Sequence, residues 1–275
     1  MAEFDDSLPA QLSAAREMVY SGQVEEAWML LNRLDVLYPD SPDVIALMGD
    51  ATLRAGDPEH AWELYDQAIE LDPTWSGVWS ARARCSIDMC NLAAARSDIQ
   101  HAMFLDPKNA EAHYTKAIIA EFDGDRMGAE IGYLQALKLD PENFQRPFRA
   151  QSDADFARVM WKVFEEITAE CALPGEVVLV VEDLPDVTDF AETGLSPLSP
   201  GYLDLPLSVD GVFTEIEPPA TIALYRLNIE RLARDADELR HEIELTLVNE
   251  IMNLFDEYGE PVPECLEQRG GEFID

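Results

Sequence analysis

Apolar positions recur along this chain in two regimes. From Leu8 to Asn143 they form paired helical stripes that repeat every 34 residues. Gly22, Gly56, Cys90 and Gly124 share one register, Ala27, Ala61, Ala95 and Ala129 a second, and Pro39, Pro73, Pro107 and Pro141 a third. The Gly lets the backbone turn sharply between two helices, the Ala lets those helices approach, and the Pro ends the second helix before the next unit. The pattern predicts helix–turn–helix units near 8–41, 42–75, 76–109 and 110–143, within a first domain over 1–147. Trp62, Leu64, Tyr65, Ile131, Tyr133 and Leu134 are expected to fill the space between stacked helices. Cys90 replaces the turn Gly of the third unit, which is tolerable where that residue is not forced to positive φ.

Beyond residue 148 the pattern changes. Ala154 to Ile167 is amphipathic, with Phe156, Val159, Met160 and Phe164 on one face. Val177 to Val181 is a continuous apolar run, expected as a strand buried on both faces. An irregular Pro- and Gly-containing stretch follows, then a strand over Thr221 to Tyr225, a short helix, and a long helix over Asp237 to Glu260. In that helix Leu239, Ile243, Leu247, Ile251 and Leu254 give a buried stripe, and Asp237 with Glu238 suits the positive end of its dipole. The expected fold class is mainly α: a helical solenoid followed by an α+β domain over 148–275.

The 34-residue unit resembles the tetratricopeptide repeat. Stacked repeats of that family form a curved solenoid, and the resemblance implies that the groove lined by the first helix of each unit binds a partner protein or peptide segment. The positions facing it include Arg16, Tyr20, Asp50, Arg54, Arg84, Asp88, Tyr114 and Phe122. The asparagine-and-lysine set with which some members clamp a terminal carboxylate is missing here. A line of arginines ending in aromatics suits an acidic or aromatic-containing segment, because guanidinium groups hold carboxylates in a bidentate fork and rings supply anchors. The same arginines could equally pair with Asp and Glu on neighbouring helices.

The long helix carries Asn249-Glu250-Ile251-Met252-Asn253 at its centre, the spacing of the H-E-x-x-H zinc helix with asparagine at both histidine positions. That motif works because two imidazoles on one helix face bind zinc while the intervening Glu polarises the metal-bound water. Asn offers only a neutral carbonyl oxygen or a protonated amide nitrogen. From about Ser152 to Glu260 the chain resembles the small bacterial zincin-like metallopeptidases. The likeness is carried by ADFARVMWKVFEEI, VVLVVEDLPDV, IALYRLNIERL and DELRHEIELTLVNEIMNLF. By position, the resemblance puts the ligand histidines on Asn249 and Asn253, the general base on Glu250 and a family glycine on Asp256. The loop from Leu198 to Leu207 is similar to the family's Gly-Tyr loop in altered form. The zinc expected of the family is predicted to be lost. Glu250 lies beside the buried stripe, so its pKa should rise unless an amide such as that of Asn249 or Asn253 donates to it.

Composition bounds the remaining possibilities. The 275 residues, 47% of them hydrophobic, suffice for two cores. A formal charge of −36 argues against nucleic acid or an anionic membrane as partner. The N-terminus lacks a basic stretch and an apolar core of signal type, and no run reaches a membrane span, so the cytoplasm is expected. Cys85, Cys90, Cys171 and Cys265 are scattered and suggest neither a zinc ribbon nor a redox dithiol. Two functions follow: a non-catalytic interaction protein joined to a pseudo-metallopeptidase domain, or a metal-dependent peptidase using carboxylates such as Glu250, Asp256, Glu257 and Glu260, with the repeats recruiting substrate.

Overall fold

The computed structural model describes residues 7–205 and 219–271. The chain folds into two compact units, one of residues 1–145 with 187–197 and the other of 146–186 with 198–275.

The first unit contains α1 (Leu8–Tyr20), α2 (Val24–Leu37), α3 (Pro42–Arg54), α4 (Pro58–Leu71), α5 (Ser76–Asp88), α6 (Leu92–Leu105), α7 (Ala110–Phe122) and α8 (Arg126–Leu139). Each pair is set by local chemistry. Asp57, Asn91 and Asp125 cap α4, α6 and α8 by accepting from His60 N, Ala94 N and Gly128 N. Ala27, Ala61, Ala95 and Ala129 are buried where the paired helices touch. Arg82 ties the second and third repeats together. Its guanidinium lies between the rings of Trp62 and Trp79, 5.0 and 4.8 Å from their centres, and Nε donates to Asp98 Oδ2 at 2.8 Å.

In this unit the condition set for Cys90 is not met, and one packing expectation is corrected. Gly22, Gly56 and Gly124 turn with φ of 81°, 84° and 72°, and Cys90 is forced into the same left-handed conformation at φ 58°. The repeat geometry therefore overrides the side chain's preference. Ile131 and Leu134 are 62% and 45% exposed instead of filling the space between helices, because they stand on the outer face of α8 while Tyr133 takes the inner one.

The second unit opens with α9 (Asp153–Glu170), capped by Ser152, and β1 (Val177–Glu182). The next helix, α10 (Val187–Thr193), groups with the repeats. β2 (Gly201–Asp204), β3 (Ala220–Tyr225), α11 (Arg226–Leu232), α12 (Ala236–Glu257) and α13 (Glu264–Gly271) complete the second unit. The sheet order is β1-β3-β2, with β3 parallel to β1 (Val177 opposite Ala220) and antiparallel to β2 (Gly201 opposite Leu224). β1 is thus an edge strand with Val178 44% exposed, and the strand covered on both sides is β3. Its apolar run alone could not distinguish these positions. Asp235 caps α12 by accepting from Asp237 N and Glu238 N. The stripe from Leu239 to Ile251 packs with Phe156, Met160, Val163 and Ile167 of α9 and with Ile222 and Leu224 of β3 in one core. Among the described residues no helix is long and apolar enough to cross a membrane.

Candidate functional site

Six residues expected to line a groove, Arg16, Tyr20, Asp50, Arg54, Arg84 and Asp88, lie near one another in the first three repeats. The Arg54 guanidinium lies 4.8 Å from the centre of the Tyr20 ring, and that ring remains 60% exposed. Asp50 accepts from the Tyr65 hydroxyl at 2.6 Å. Burial pushes the Asp50 carboxyl up, opposed by this hydrogen bond and by Arg84, Arg16 and Arg54. Arg84 Nη1 reaches Glu111 Oε1 at 3.4 Å, a loose pair, and burial raises the Glu111 carboxyl against the pull of Arg84. Asp88 accepts from Ser196 Oγ at 2.6 Å and is likewise raised, first by burial. Three arginines, Arg16, Arg54 and Arg84, therefore lie in one cluster with Asp50, Asp88 and Glu111.

The aromatic end is arranged differently. Tyr114 packs edge-on to Tyr133 at 5.1 Å and against Phe144 at 5.2 Å, while Phe122 is half-buried at the end of α7. Sequence reasoning missed Glu111 and Tyr65. Glu111 occupies the second position of its unit, and Tyr65 comes from a second helix, reaching past the small Gly49 to Asp50.

In the second unit Asn249 and Asn253 lie on the exposed side of α12, and Glu250 between them is half-buried. Asn253 Nδ2 donates to Glu250 Oε2 at 3.2 Å. Burial raises the Glu250 carboxyl, and the hydrogen bond from Asn253 only partly opposes it. β2 runs close beside this turn of α12. A Cβ on Gly201 would stand 2.6 Å from Thr246 Cγ2 and 3.3 Å from Glu250 Cγ, so glycine is required for the approach. The Tyr225 phenol is raised by burial and then by Glu182, Tyr202, Asp204 and Glu250. The resemblance already drew attention to Tyr202 through the Gly-Tyr loop, whereas Tyr225 was read only as the end of a strand. The pairing sets Tyr202 opposite Ala223, two residues before Tyr225, so the two tyrosines share one face of the sheet.

Asp183, in the turn that follows β1, accepts from Arg226 Nε at 3.0 Å, and its carbonyl accepts from Leu227 N at 3.0 Å. That carboxylate is engaged in holding the turn to α11. Asp256, Glu257 and Glu260 are exposed. Among the described residues no three of His, Cys, Asp and Glu are grouped closely enough to hold a metal ion. Of the altered Gly-Tyr loop, Gly201–Asp204 form β2, and residues 206 and 207 lie outside the described residues.

Known proteins match both units' character. Residues 175–265 match the model of the zincin-like metallopeptidase family. An SGT1 homolog of Oryza sativa subsp. japonica is 31% identical over 143 residues, 50% of this chain and 35% of that protein. A tetratricopeptide repeat and J domain-containing co-chaperone of Cryptococcus neoformans var. grubii is 32% identical over 89 residues, 32% of this chain and 17% of that protein. The chain thus spans at most 35% of the length of these curated relatives. Among solved structures, a thermophilic TPR protein of Thermus thermophilus is 18% identical with a TM-score of 0.46, covering 49% of this chain and 75% of that one. The chain is a fusion of tetratricopeptide-type repeats to a zincin-like domain.

Proposed function

We propose that this protein is a non-catalytic adaptor whose repeat groove holds an acidic, aromatic-containing segment of a partner protein, while its zincin-like domain has left zinc chemistry behind. The observation that carries the reading is the platform of Arg54 on Tyr20. The stacked guanidinium sits on an exposed ring, its N–H edge suited to a carboxylate and the ring to an apolar anchor. Arg16 and Arg84 extend the positive field beside it, balanced loosely by Glu111. Tyr114 and Phe122 would extend the groove toward its aromatic end. A protein segment, not nucleic acid or a membrane surface, is the partner that a chain of charge −36 suits, with the cytoplasm as its setting.

The loss of zinc is supported by the donor set. Asn253 directs its amide N–H at Glu250, so the position that would carry an imidazole acts as a hydrogen-bond donor to the general-base position. Neither Asn249 nor Asn253 offers the nitrogen lone pair of histidine, and the residues present do not fit a zinc ion. Glu250 then serves as a half-buried acceptor.

Recovery of a bound partner from the native host by tagged wild-type protein, compared with Arg54→Glu and Arg84→Glu, tests the groove. Recovery should fall in both variants and persist in Glu250→Gln. Undiminished recovery after both charge reversals would sink the groove reading. Peptide hydrolysis that stops on chelation and returns with added metal would sink the non-catalytic one.

A further inference from the structure

Residues 187–197 lie within the span that matches the zincin-like family, yet they group with the repeats. Phe190 of α10 is only 4% exposed, while Leu195 beyond the helix is 41% exposed. Ser196 Oγ donates to Asp88 Oδ1 at 2.6 Å, and Cys90 Sγ lies 3.9 Å from the Leu195 carbonyl. Between this segment and the turns of the second and third repeats a cavity of 460 Å³ remains, lined by Pro58, Met89, Cys90, Phe190 and Leu195 among others. Phe190 lines the same cavity as the repeat turns, and one hydroxyl hydrogen bond and one weak thiol contact add to it, a small attachment beside unfilled space.

Charge points the same way. The repeats line the cavity with Asp57, Glu59 and Asp88 and with no basic residue, and the segment VTDFAETGLSP itself contains two acids and no Lys or Arg. A ligand keeping the aromatic anchor but carrying positive charge is the better electrostatic match.

We propose that residues 187–197 are a resident ligand of the repeats, covering a docking surface on the turns of units two and three whose intended occupant is a partner's short, basic helix with an aromatic anchor. The surface is distinct from the arginine groove and shares only Asp88 with it. Displacing the resident segment would free the Ser196 partner on Asp88 and uncover Cys90.

Alkylation of Cys90 in the full-length protein, followed by mass spectrometry of its peptide with Cys265 as internal reference, reads this directly. Phe190→Ala should speed Cys90 alkylation about tenfold through the lost anchor, and Ser196→Ala should speed it less. The Cys265 rate should stay unchanged, which separates release of the segment from unfolding. An excess of a synthetic peptide of residues 185–199 should restore protection in Phe190→Ala. The same peptide carrying Asp189→Lys and Glu192→Lys should protect at lower concentration. Equal Cys90 rates in wild type and both variants, or no protection by either peptide, would overturn the docking surface. Equal protection by the two peptides would overturn the basic partner.

Discussion

Asn253 donates its side-chain amide to Glu250 at 3.2 Å, and yet the carboxyl of Glu250 stays above its ordinary value because burial outweighs that one bond. A carboxyl raised in the folded state holds its proton longer there than in the unfolded chain. Its contribution to stability is therefore full below the unfolded value near 4.5 and is lost as pH rises through the folded value. Glu250→Gln should remove that loss, so urea unfolding should show the variant gaining on wild type as pH increases above 4.5. Asn253→Ala removes the opposing donor and should widen the pH window in which stability falls. Parallel pH profiles for wild type and Glu250→Gln would contradict a buried, proton-retaining Glu250.

Gly201 allows β2 to approach α12. Thr246 Oγ1 donates to the Glu242 carbonyl at 2.7 Å, which pins its rotamer and leaves Cγ2 facing the strand. Gly201→Ala should cost about 1–3 kcal/mol in chemical denaturation, the range for overpacking a tight contact. Thr246→Ser keeps the hydroxyl and removes Cγ2, so the double variant should recover part of the loss. Strictly additive losses would place the clash elsewhere, against the Ala223 carbonyl.

The repeat array was legible because close helix pairs demand small residues and turns at a fixed interval, and a 34-residue spacing records that demand in the chain. The side-chain cluster around Asp50 was legible only in part. Arg54 and Tyr20 hold equivalent positions in successive units, whereas Glu111 and Tyr65 arrive from positions that repeat arithmetic assigns to other roles. Glu250's burial followed from the stripe around it. The nearness of Tyr202 and Tyr225 depended on strand pairing, which a four-residue strand does not announce. The seven-residue α10 carries too few turns for a periodic signal, so its place with the repeats was invisible.

Glu230 is fully buried and accepts from Arg149 Nη1 at 3.0 Å, Ala150 N at 3.0 Å and Arg226 Nη1 at 3.3 Å. It fastens the segment before α9 to α11. Glu230→Ala should cost about 3–5 kcal/mol, the usual range for breaking a buried ion pair, with the lower end expected because Arg226 keeps Asp183. Glu230→Gln retains an acceptor for the Ala150 amide and should cost less. Urea midpoints for the two variants check the order, and equal losses would mean that the charge, not the acceptor, holds this segment.

Cys90 and Gly56 occupy the same place in successive repeats, at φ 58° and 84°. A side chain in this left-handed region crowds the following carbonyl, while glycine does not. Cys90→Gly also removes the thiol beside Leu195, so its stability alone would mix two effects. Cys90→Ala removes the same thiol and retains the strained backbone. The Gly variant should therefore exceed the Ala variant by about 1 kcal/mol in thermal or urea unfolding, whatever the thiol contributes. Gly56→Ala should lose a similar amount, since open space at that position leaves only the backbone term. Indistinguishable Gly and Ala variants at position 90 would show that the third turn relaxes out of the left-handed conformation in solution.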